Sequence, residues 1–276
     1  MDELVRYSEN YRNDKMNSGA SLFGDVEELK PVRPEMPVMT GEENLLALLQ
    51  QEKELVGMFL SSHPLDRYAF QLEHLTNCEL VRMQETIASC DESQTPKQGV
   101  RIAGIVIAKE TKTQKNGKPF LKMTLEDYSG SFEVAVFGKD YEKFLPYANL
   151  HENLFIEGDI VERYFLSPEE RAMGKKVPFT FRPREVNLLG NITDDFLKGF
   201  VIDLTTEILT PAFQKDLMQI VKSHPGKQPL LINLFDSTTK YRIQFHSKKF
   251  QVGVSTDLVR ALHGIGIEHY EVIYKK

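Results

Sequence analysis

The sequence has little cysteine and no long apolar run. Two cysteines, Cys78 and Cys90, among 276 residues supply no disulfide framework and are not spaced as metal ligands. No apolar segment approaches the roughly 20 residues that span a bilayer. The first ten residues, MDELVRYSEN, lack the basic-then-apolar order of a signal peptide. These absences predict a soluble protein of the reducing cytoplasm without a membrane contact.

The sequence also lacks a recognisable catalytic or metal-binding constellation. It shows no glycine-rich phosphate loop and no nucleophile–base pair. The seven histidines are scattered, and none is spaced from a cysteine or an acid as a metal ligand. Glu126 and Asp127 are neighbours in a strand pattern, so their side chains point to opposite faces, and Asp127 before Tyr128-Ser129-Gly130 indicates a turn. We therefore predict no catalytic residue, no metal and no cofactor, and nothing supports a hydrolase.

Charge is distributed unevenly along the chain. The formal net charge of −6 argues against a protein that coats nucleic acid in bulk. Residues 1–98 carry nine basic and eighteen acidic side chains, residues 99–190 carry fourteen and thirteen, and residues 191–276 carry eleven and nine. The acidic excess therefore lies at the front, and the middle of the chain is balanced with locally clustered lysines.

The first 98 residues divide into a connector and a helical segment. Residues 1–39 are polar and contain three spaced prolines, which is typical of an extended connector after a short helix. Thr40 and Glu43 form a capping-box pattern ahead of a leucine-rich helical run. Ser61-Ser62-His63-Pro64 predicts the end of that helix, with His63 in a structural role and Pro64 in the first turn of a second helix.

From about Gly99 the apolar period changes from helical to two. Strands are predicted at VRIAGIVIAKET, with Gly104 as a bulge or bend, and at FLKMTLEDYSG and SFEVAVFG. A helix at KDYEKFLPYANL and two more strands, NLFIEGDIVERYF and FTFRPREVNLL, follow. Three strands, a helix and two strands are the order of an OB-fold, a five-stranded barrel. Residues 99–190 are therefore predicted to form an OB-fold domain.

Residues 191–276 alternate strand and helix patterns, with two separate strands at YRIQF and FQVGV, which predict a small α+β domain. The fold class is thus a multidomain α+β protein: residues 1–39 as connector, 40–98 as helical segment, 99–190 as a five-stranded OB-fold barrel, and 191–276 as a C-terminal α+β domain.

Candidate binding residues cluster on one face of the predicted barrel. If Met123 and Leu125 point inward, then Phe120, Lys122 and Thr124 point outward, and Phe137 shares their surface. Aromatic rings beside lysines are what single-strand binding requires. The predicted nucleic-acid-binding residues are Lys112, Lys115, Lys118, Phe120, Lys122, Phe137, Lys175, Lys176, Arg182 and Arg184. The alternative is that the two rings pack on a neighbouring domain and the lysines are solvated loop charge.

Several stretches resemble the C-terminal region of the bacterial DNA polymerase III alpha subunit family. They are EKELVGMFLSSHPLDRY, the run from VRIAGIVIAKET through TLEDYSGSFEVAVF to GKDYEKF, and LMQIVKSHPGKQPLLINL. The resemblance implies a fragment, because the family's palm aspartates and its N-terminal phosphoesterase-like domain do not fit within 276 residues. It also implies single-stranded DNA, the sliding clamp, a clamp-loader subunit and other replicase subunits as partners, with the clamp loader meeting residues 200–276.

The same resemblance gives a meaning to GASLFGD in the connector. The family carries a short clamp-binding peptide there that ends in a hydrophobic–Phe pair, which implies a clamp-binding role for Leu22 and Phe23. Gly19 departs from the motif, which prefers glutamine at that place. The alternative is that Leu22 and Phe23 pack on the body of the protein.

A second function stays open for the barrel itself. A stand-alone OB-fold module that binds RNA, such as a tRNA-binding appendage, would have the same topology. The similarity outside the barrel, at FLSSHPLDRY and in the last domain, argues against it.

Overall fold

The computed structural model describes residues 6–9, 11–12, 48–49, 51–52, 54–57 and 59–275. The chain divides into two compact units, Met1–Phe59 and Leu60–Lys276. In the first unit the described residues are helical up to Val56, and Gly57 follows with a φ of 86°. A glycine in the left-handed region is a common end for a helix. The sequence prediction that this helix continues to Ser61 is therefore wrong, and the glycine ends it. The elements below all belong to the second unit.

Two short helices precede the barrel. A 3-10 turn, Asp66–Tyr68, leads into α1, Ala69–Leu75, and a second 3-10 turn, Leu80–Arg82, leads into α2, Met83–Ser93. Within the described residues, no helix is long and apolar enough to cross a membrane.

The segment from His63 to Asp66 is hydrogen-bonded to the turn that follows the second barrel strand. The His63 amide donates to Asp66 Oδ2 at 2.8 Å, and the Tyr128 hydroxyl donates to Asp66 Oδ1 at 2.7 Å. Burial and the Asp66 carboxylate raise the pKa of Tyr128. Asp127 accepts the amides of Ser129 and Gly130 through Oδ1, so it is the turn former that the sequence predicts.

The barrel is a single antiparallel sheet of five strands in the order β3-β2-β1-β4-β5. Its elements are β1 Lys97–Thr113, β2 Pro119–Glu126, β3 Ser131–Phe137, α3 Lys139–Phe144, β4 Asn153–Glu162, α4 Pro168–Ala172 and β5 Phe179–Leu188. This order of strands and helices confirms the predicted α+β class with an OB-fold. The charged loop before β5 contains α4, a short helix that the sequence pattern does not predict.

Strand β1 is long because it serves both halves of the barrel. Its first half pairs with β4 and its second half with β2. Of the bulge or bend predicted at Gly104, the bulge is wrong: Gly104 pairs regularly with Leu154, and the irregularity against β2 lies between Val106 and Ala108. Gly104 instead permits a close approach, since a Cβ there would lie 2.8 Å from the Glu126 carbonyl oxygen.

The C-terminal sheet has four strands in the order β8-β7-β6-β9. Strands β6 and β7 are parallel and joined through α6, whereas the other two pairs are antiparallel. The elements are α5 Thr193–Phe196, β6 Leu197–Thr205, α6 Pro211–Ser223, β7 Pro225–Phe235, β8 Arg242–Val252, α7 Thr256–Gly264 and β9 Tyr270–Tyr274. The two strands predicted at YRIQF and FQVGV are one strand, β8.

Two hydrophobic cores hold these elements, and the preceding helices divide between them. Helix α2 packs in the barrel core through Met83 and Cys90. Helix α1 packs in the C-terminal core through Phe70 and Leu75. The residue order along the chain does not reveal this division, because both helices precede the barrel.

Candidate nucleic-acid interface

The outward face of β2 and β3 carries two stacked phenylalanines. Phe120 and Phe137 are directly opposite in the antiparallel register. Their ring centroids are 4.9 Å apart with an interplanar angle of 16°, and Phe137 is 50% exposed. Along β2 the inward residues Leu121, Met123 and Leu125 are fully buried, so the alternation places Phe120 outward as predicted. The pair offers a flat apolar surface to solvent.

Lys122, on the same face, is already held by a carboxylate. Its Nζ lies 2.6 Å from Glu133 Oε2. Glu133 lies opposite Thr124 in the register, so it is a diagonal neighbour of Lys122 on one face. The hydrogen bond to Glu133 raises the pKa of Lys122. This lysine is thus a weaker candidate for a phosphate contact than its position in the sequence indicates.

The first barrel loop, residues 114–118, presents two exposed lysines. The loop is closed by two backbone hydrogen bonds: the Gln114 amide donates to the Lys118 carbonyl, and the Gly117 amide donates to the Gln114 carbonyl. Lys115 and Lys118 are exposed, and no carboxylate of the described residues forms an ion pair with either. Lys112, at the end of β1, differs because its Nζ lies 2.7 Å from Glu110. The loop therefore presents two lysine charges, on Lys115 and Lys118, that no described carboxylate neutralises.

The fourth loop, between β4 and β5, is braced by α4. Ser167 caps this helix in a reciprocal capping box with Glu170. Glu170 also forms an ion pair with Lys175 at 2.7 Å, whereas Lys176 is exposed without an ion pair to any described residue. Of the two predicted lysines, Lys176 is the one available to a ligand.

The two predicted arginines of strand β5, Arg182 and Arg184, differ in their ion pairs. Arg184 bridges Glu157 and Asp159, with both N–O distances at 3.0 Å. Arg182 is exposed, and no described carboxylate pairs with it. It lines a cleft of about 680 Å³ between β3 and β5, where Phe137 is also a lining residue. The structure thus places Arg182 in the same cleft as Phe137 and leaves Arg184 in a surface ion-pair network with Glu157 and Asp159.

Three residues next to this surface are absent from the site predicted from the sequence. Arg163 lines the cleft with Arg182, and Tyr164 and Phe165 follow it into the fourth loop with exposed fractions of 48% and 81%. The Arg171 guanidinium lies 5.6 Å from the Phe165 ring centroid. The signal in the sequence is the aromatic pair in ERYF, which continues the predicted fourth strand beyond its observed end at Glu162.

Leu22 and Phe23 lie outside the described residues. Across the described ranges, no group of three or more His, Cys, Asp and Glu side chains is arranged to hold a metal ion.

Two protein-family models match the chain in separate segments. Residues 100–178 match the model described as an OB-fold nucleic acid binding domain. Residues 200–269 match the model described as the DNA polymerase III alpha subunit, C-terminal domain.

Curated relatives match most of the chain under one name. DNA polymerase III subunit alpha from Haemophilus influenzae is 26% identical over 246 residues, which cover 88% of this chain and 19% of the relative. The Pseudomonas aeruginosa protein of the same name is 21% identical over 267 residues, which cover 95% of this chain and 21% of the relative. The chain therefore spans about a fifth of the length of the relatives it matches.

Among solved structures, the mitochondrial single-stranded DNA binding protein Rim1 of S. cerevisiae covers 34% of this chain at 17% identity and a TM-score of 0.25. A score this low says nothing about function. The sequence matches carry the conclusion. Most of this chain is similar to the C-terminal region of bacterial DNA polymerase III alpha subunits, with an OB-fold domain followed by that family's C-terminal domain.

Proposed function

We propose that this chain is a non-catalytic C-terminal portion of a cytoplasmic replicative DNA polymerase and that its OB-fold holds single-stranded template DNA. The observation that carries the proposal is the outward-facing stack of Phe120 on Phe137 beside Lys115 and Lys118, neither of which forms an ion pair with a described residue. Bases stack on aromatic rings without sequence preference, and lysines of the adjoining loop meet phosphates. The parent protein would supply the DNA-directed DNA polymerase activity from regions outside this chain.

The expected affinity is moderate. Base stacking contributes about 1–3 kcal/mol per base. The pairing of Lys112, Lys122, Lys175 and Arg184 with carboxylates lowers the number of cations that can release counterions from DNA. The barrel therefore positions a strand that other parts of a replicase also hold.

Titration of a labelled single-stranded oligonucleotide at two salt concentrations tests the DNA contact. Affinity should fall steeply with salt, and Phe137→Ala should weaken binding roughly 5- to 150-fold, since one stacked ring is lost. Tyr241→Ala is the matched control, because Tyr241 is a 72% exposed aromatic of the C-terminal domain. A flat salt response, or equal affinities for both variants, would remove the DNA role from this surface.

RNA is the second candidate ligand, because the matched OB-fold model is described only as nucleic acid binding. Neither the stacked rings nor the loop lysines read the 2′-hydroxyl that distinguishes RNA from DNA. Competition between DNA and RNA oligonucleotides of equal length and sequence separates the two proposals. Tighter RNA binding would favour a module of the tRNA-binding type.

The connector is proposed to reach the sliding clamp through Leu22 and Phe23. The pair can bury two bulky apolar side chains in a partner pocket, but Gly19 supplies no side-chain hydrogen bond. Replacement of both residues by alanine should abolish binding to the clamp and leave the thermal unfolding of the chain unchanged. A fall in melting temperature instead would indicate that the pair packs on the protein itself.

Residues 200–276 are proposed to meet the clamp loader and, through it, other replicase subunits. The support is the match of residues 200–269 to the family model for this C-terminal domain. The proposal includes no cofactor and no membrane contact.

A further inference from the structure

Strand β8 forms an edge of the C-terminal sheet. Within the described part of the chain it pairs with β7 alone. Residues 242–246 pair regularly with residues 231–235, and the side chains of residues 242–245 are exposed. Five extended residues span about 17 Å. This stretch leaves a row of backbone N–H and C=O groups along which one more short strand can pair.

The edge changes character after His246. Pro229 pairs with Gln251 while Leu231 pairs with His246, so residues 247–250 bulge out of the ladder opposite Leu230. The Phe250 amide donates to Ser247 Oγ at 3.1 Å and fixes the bulge. Phe250 packs against the C-terminal core, whereas Lys248 and Lys249 stay exposed.

An apolar cavity of about 540 Å³ lies beside this edge, between α6 and strands β7 and β8. Its walls are mostly aliphatic, including Leu217, Val221, Leu230 and Leu234. Phe245 and Met218 line it while being 48% and 43% exposed, so the cavity opens to solvent. It has the size and lining that take a bulky apolar side chain.

A basic cleft of about 570 Å³ adjoins the cavity and shares Val221, Ser247 and Phe250 with it. Lys222, Lys248 and Lys249 line the cleft, and no carboxylate of the described residues does. None of the three has an ion-pair partner among the described residues. An open apolar cavity thus lies next to a cluster of unneutralised positive charge.

We propose that this edge of the C-terminal sheet binds an acidic, extended peptide segment of a partner protein. The segment adds a strand along residues 242–246, places one bulky apolar side chain in the cavity, and lays its carboxylates over Lys222, Lys248 and Lys249. The inference rests on the proposed role of residues 200–276 in protein contacts. It is independent of the DNA contact of the barrel.

The combination of features favours a peptide over a nucleic acid. A nucleic acid would meet the three lysines, but it has no backbone amides to complete the row of groups along β8. Bulges and lysines also protect edge strands from self-association. That protective role requires no open apolar cavity beside the strand.

Fluorescence anisotropy with the full chain tests the proposal. The probe is a labelled peptide of about ten residues that carries a central Leu-Phe pair among aspartates and glutamates. One matched peptide has lysine in place of every acid, and another has alanine in place of Leu-Phe. The acidic probe should bind and the two matched peptides should not, and added salt should weaken the binding.

Paired charge reversals separate this surface from the barrel. Lys248→Glu with Lys249→Glu should weaken probe binding roughly tenfold or more, because two attractions become repulsions, and leave oligonucleotide binding unchanged. Lys115→Glu with Lys118→Glu makes the same change in charge and should do the reverse. Met218→Glu, at the cavity rim, should weaken the probe without loss of thermal stability.

Three outcomes would overturn the proposal. The first is no difference between the acidic probe and its two matched peptides. The second is loss of oligonucleotide binding in the Lys248/Lys249 variant with probe binding intact, which would make this a nucleic-acid surface. The third is a concentration-dependent dimer in sedimentation that the same variant abolishes, which would make the edge a contact between two copies of this chain.

Discussion

Cationic side chains of the candidate interface differ in the carboxylates that already hold them. Lys122 is held by Glu133, and Arg184 by both Glu157 and Asp159. Arg182, two residues before Arg184, has no such partner among the described residues. Because two carboxylates already neutralise the Arg184 guanidinium, it should attract a phosphate less than the Arg182 guanidinium does, although the two residues share a strand.

For these two side chains we predict that Arg182→Ala and Arg184→Ala have different effects on DNA binding. Arg182→Ala should lower the slope of log affinity against log salt by about 0.7, the value for one phosphate contact on a single strand. Arg184→Ala should leave the slope nearly unchanged. Oligonucleotide titrations at several salt concentrations measure both. Equal losses of slope would contradict the view that Glu157 and Asp159 neutralise Arg184.

Strands β4 and β5 approach each other so closely at one point that only glycine fits. The register shifts between Glu157 and Gly158. A Cβ at Gly158 would collide with the Arg182 carbonyl oxygen and lie 2.8 Å from the Phe181 ring. This contact fixes the part of β5 that carries Arg182 to the cleft, so an element of the proposed binding surface depends on a residue with no side chain.

We predict that Gly158→Ala destabilises the protein by about 1–3 kcal/mol, the usual cost of overpacking a core. Urea denaturation followed by circular dichroism measures the change. Gly264→Ala is the matched control, because a Cβ there meets no atom within 4 Å and alanine favours the helix at the end of α7. A stability for Gly158→Ala at or above that of the control would refute the close approach.

The two cores of residues 60–275 meet through residues of the barrel strands. Ala103 on β1 and Phe155 on β4 belong to the C-terminal core, and the Phe155 ring contacts Phe196 edge-on with centroids 5.3 Å apart. Helix α1 precedes the barrel in sequence and yet packs with the C-terminal sheet, where the Phe70 amide donates to Thr256 Oγ1 at 3.0 Å. The barrel and the C-terminal sheet therefore share buried surface.

Because the two cores share Phe155, we predict that Phe155→Ala destabilises the C-terminal sheet although Phe155 lies in the barrel. Loss of the ring should cost about 3–5 kcal/mol and raise amide hydrogen exchange in β6 and β9. Phe144→Ala is the matched control, since Phe144 is fully buried in the barrel core alone. Hydrogen-exchange mass spectrometry distinguishes the two. Unchanged exchange in β6 and β9 on Phe155→Ala would show that the cores are independent.

Sequence periodicity alone predicts the order of the five barrel strands and of the helix between β3 and β4, the inward and outward faces of β2 and β3, and the aromatic pair on the outer face. These are local properties, because alternation of apolar residues sets which side chains a strand buries. Neither the end of the helix before Gly57 nor the bulge near Val106 was predicted. Each depends on backbone geometry that several residue patterns permit.

Which lysines and arginines are neutralised by carboxylates depends on the tertiary structure and cannot be read from the local sequence. Lys122 and Glu133 are eleven positions apart, and Arg184 and Glu157 are 27 apart, so their pairing depends on strand register. The same holds for the cleft between β3 and β5 and for the open edge of β8, which form where distant segments meet or fail to meet. Local pattern fixes the elements, whereas charge neutralisation and open surface depend on contacts between residues far apart in the chain.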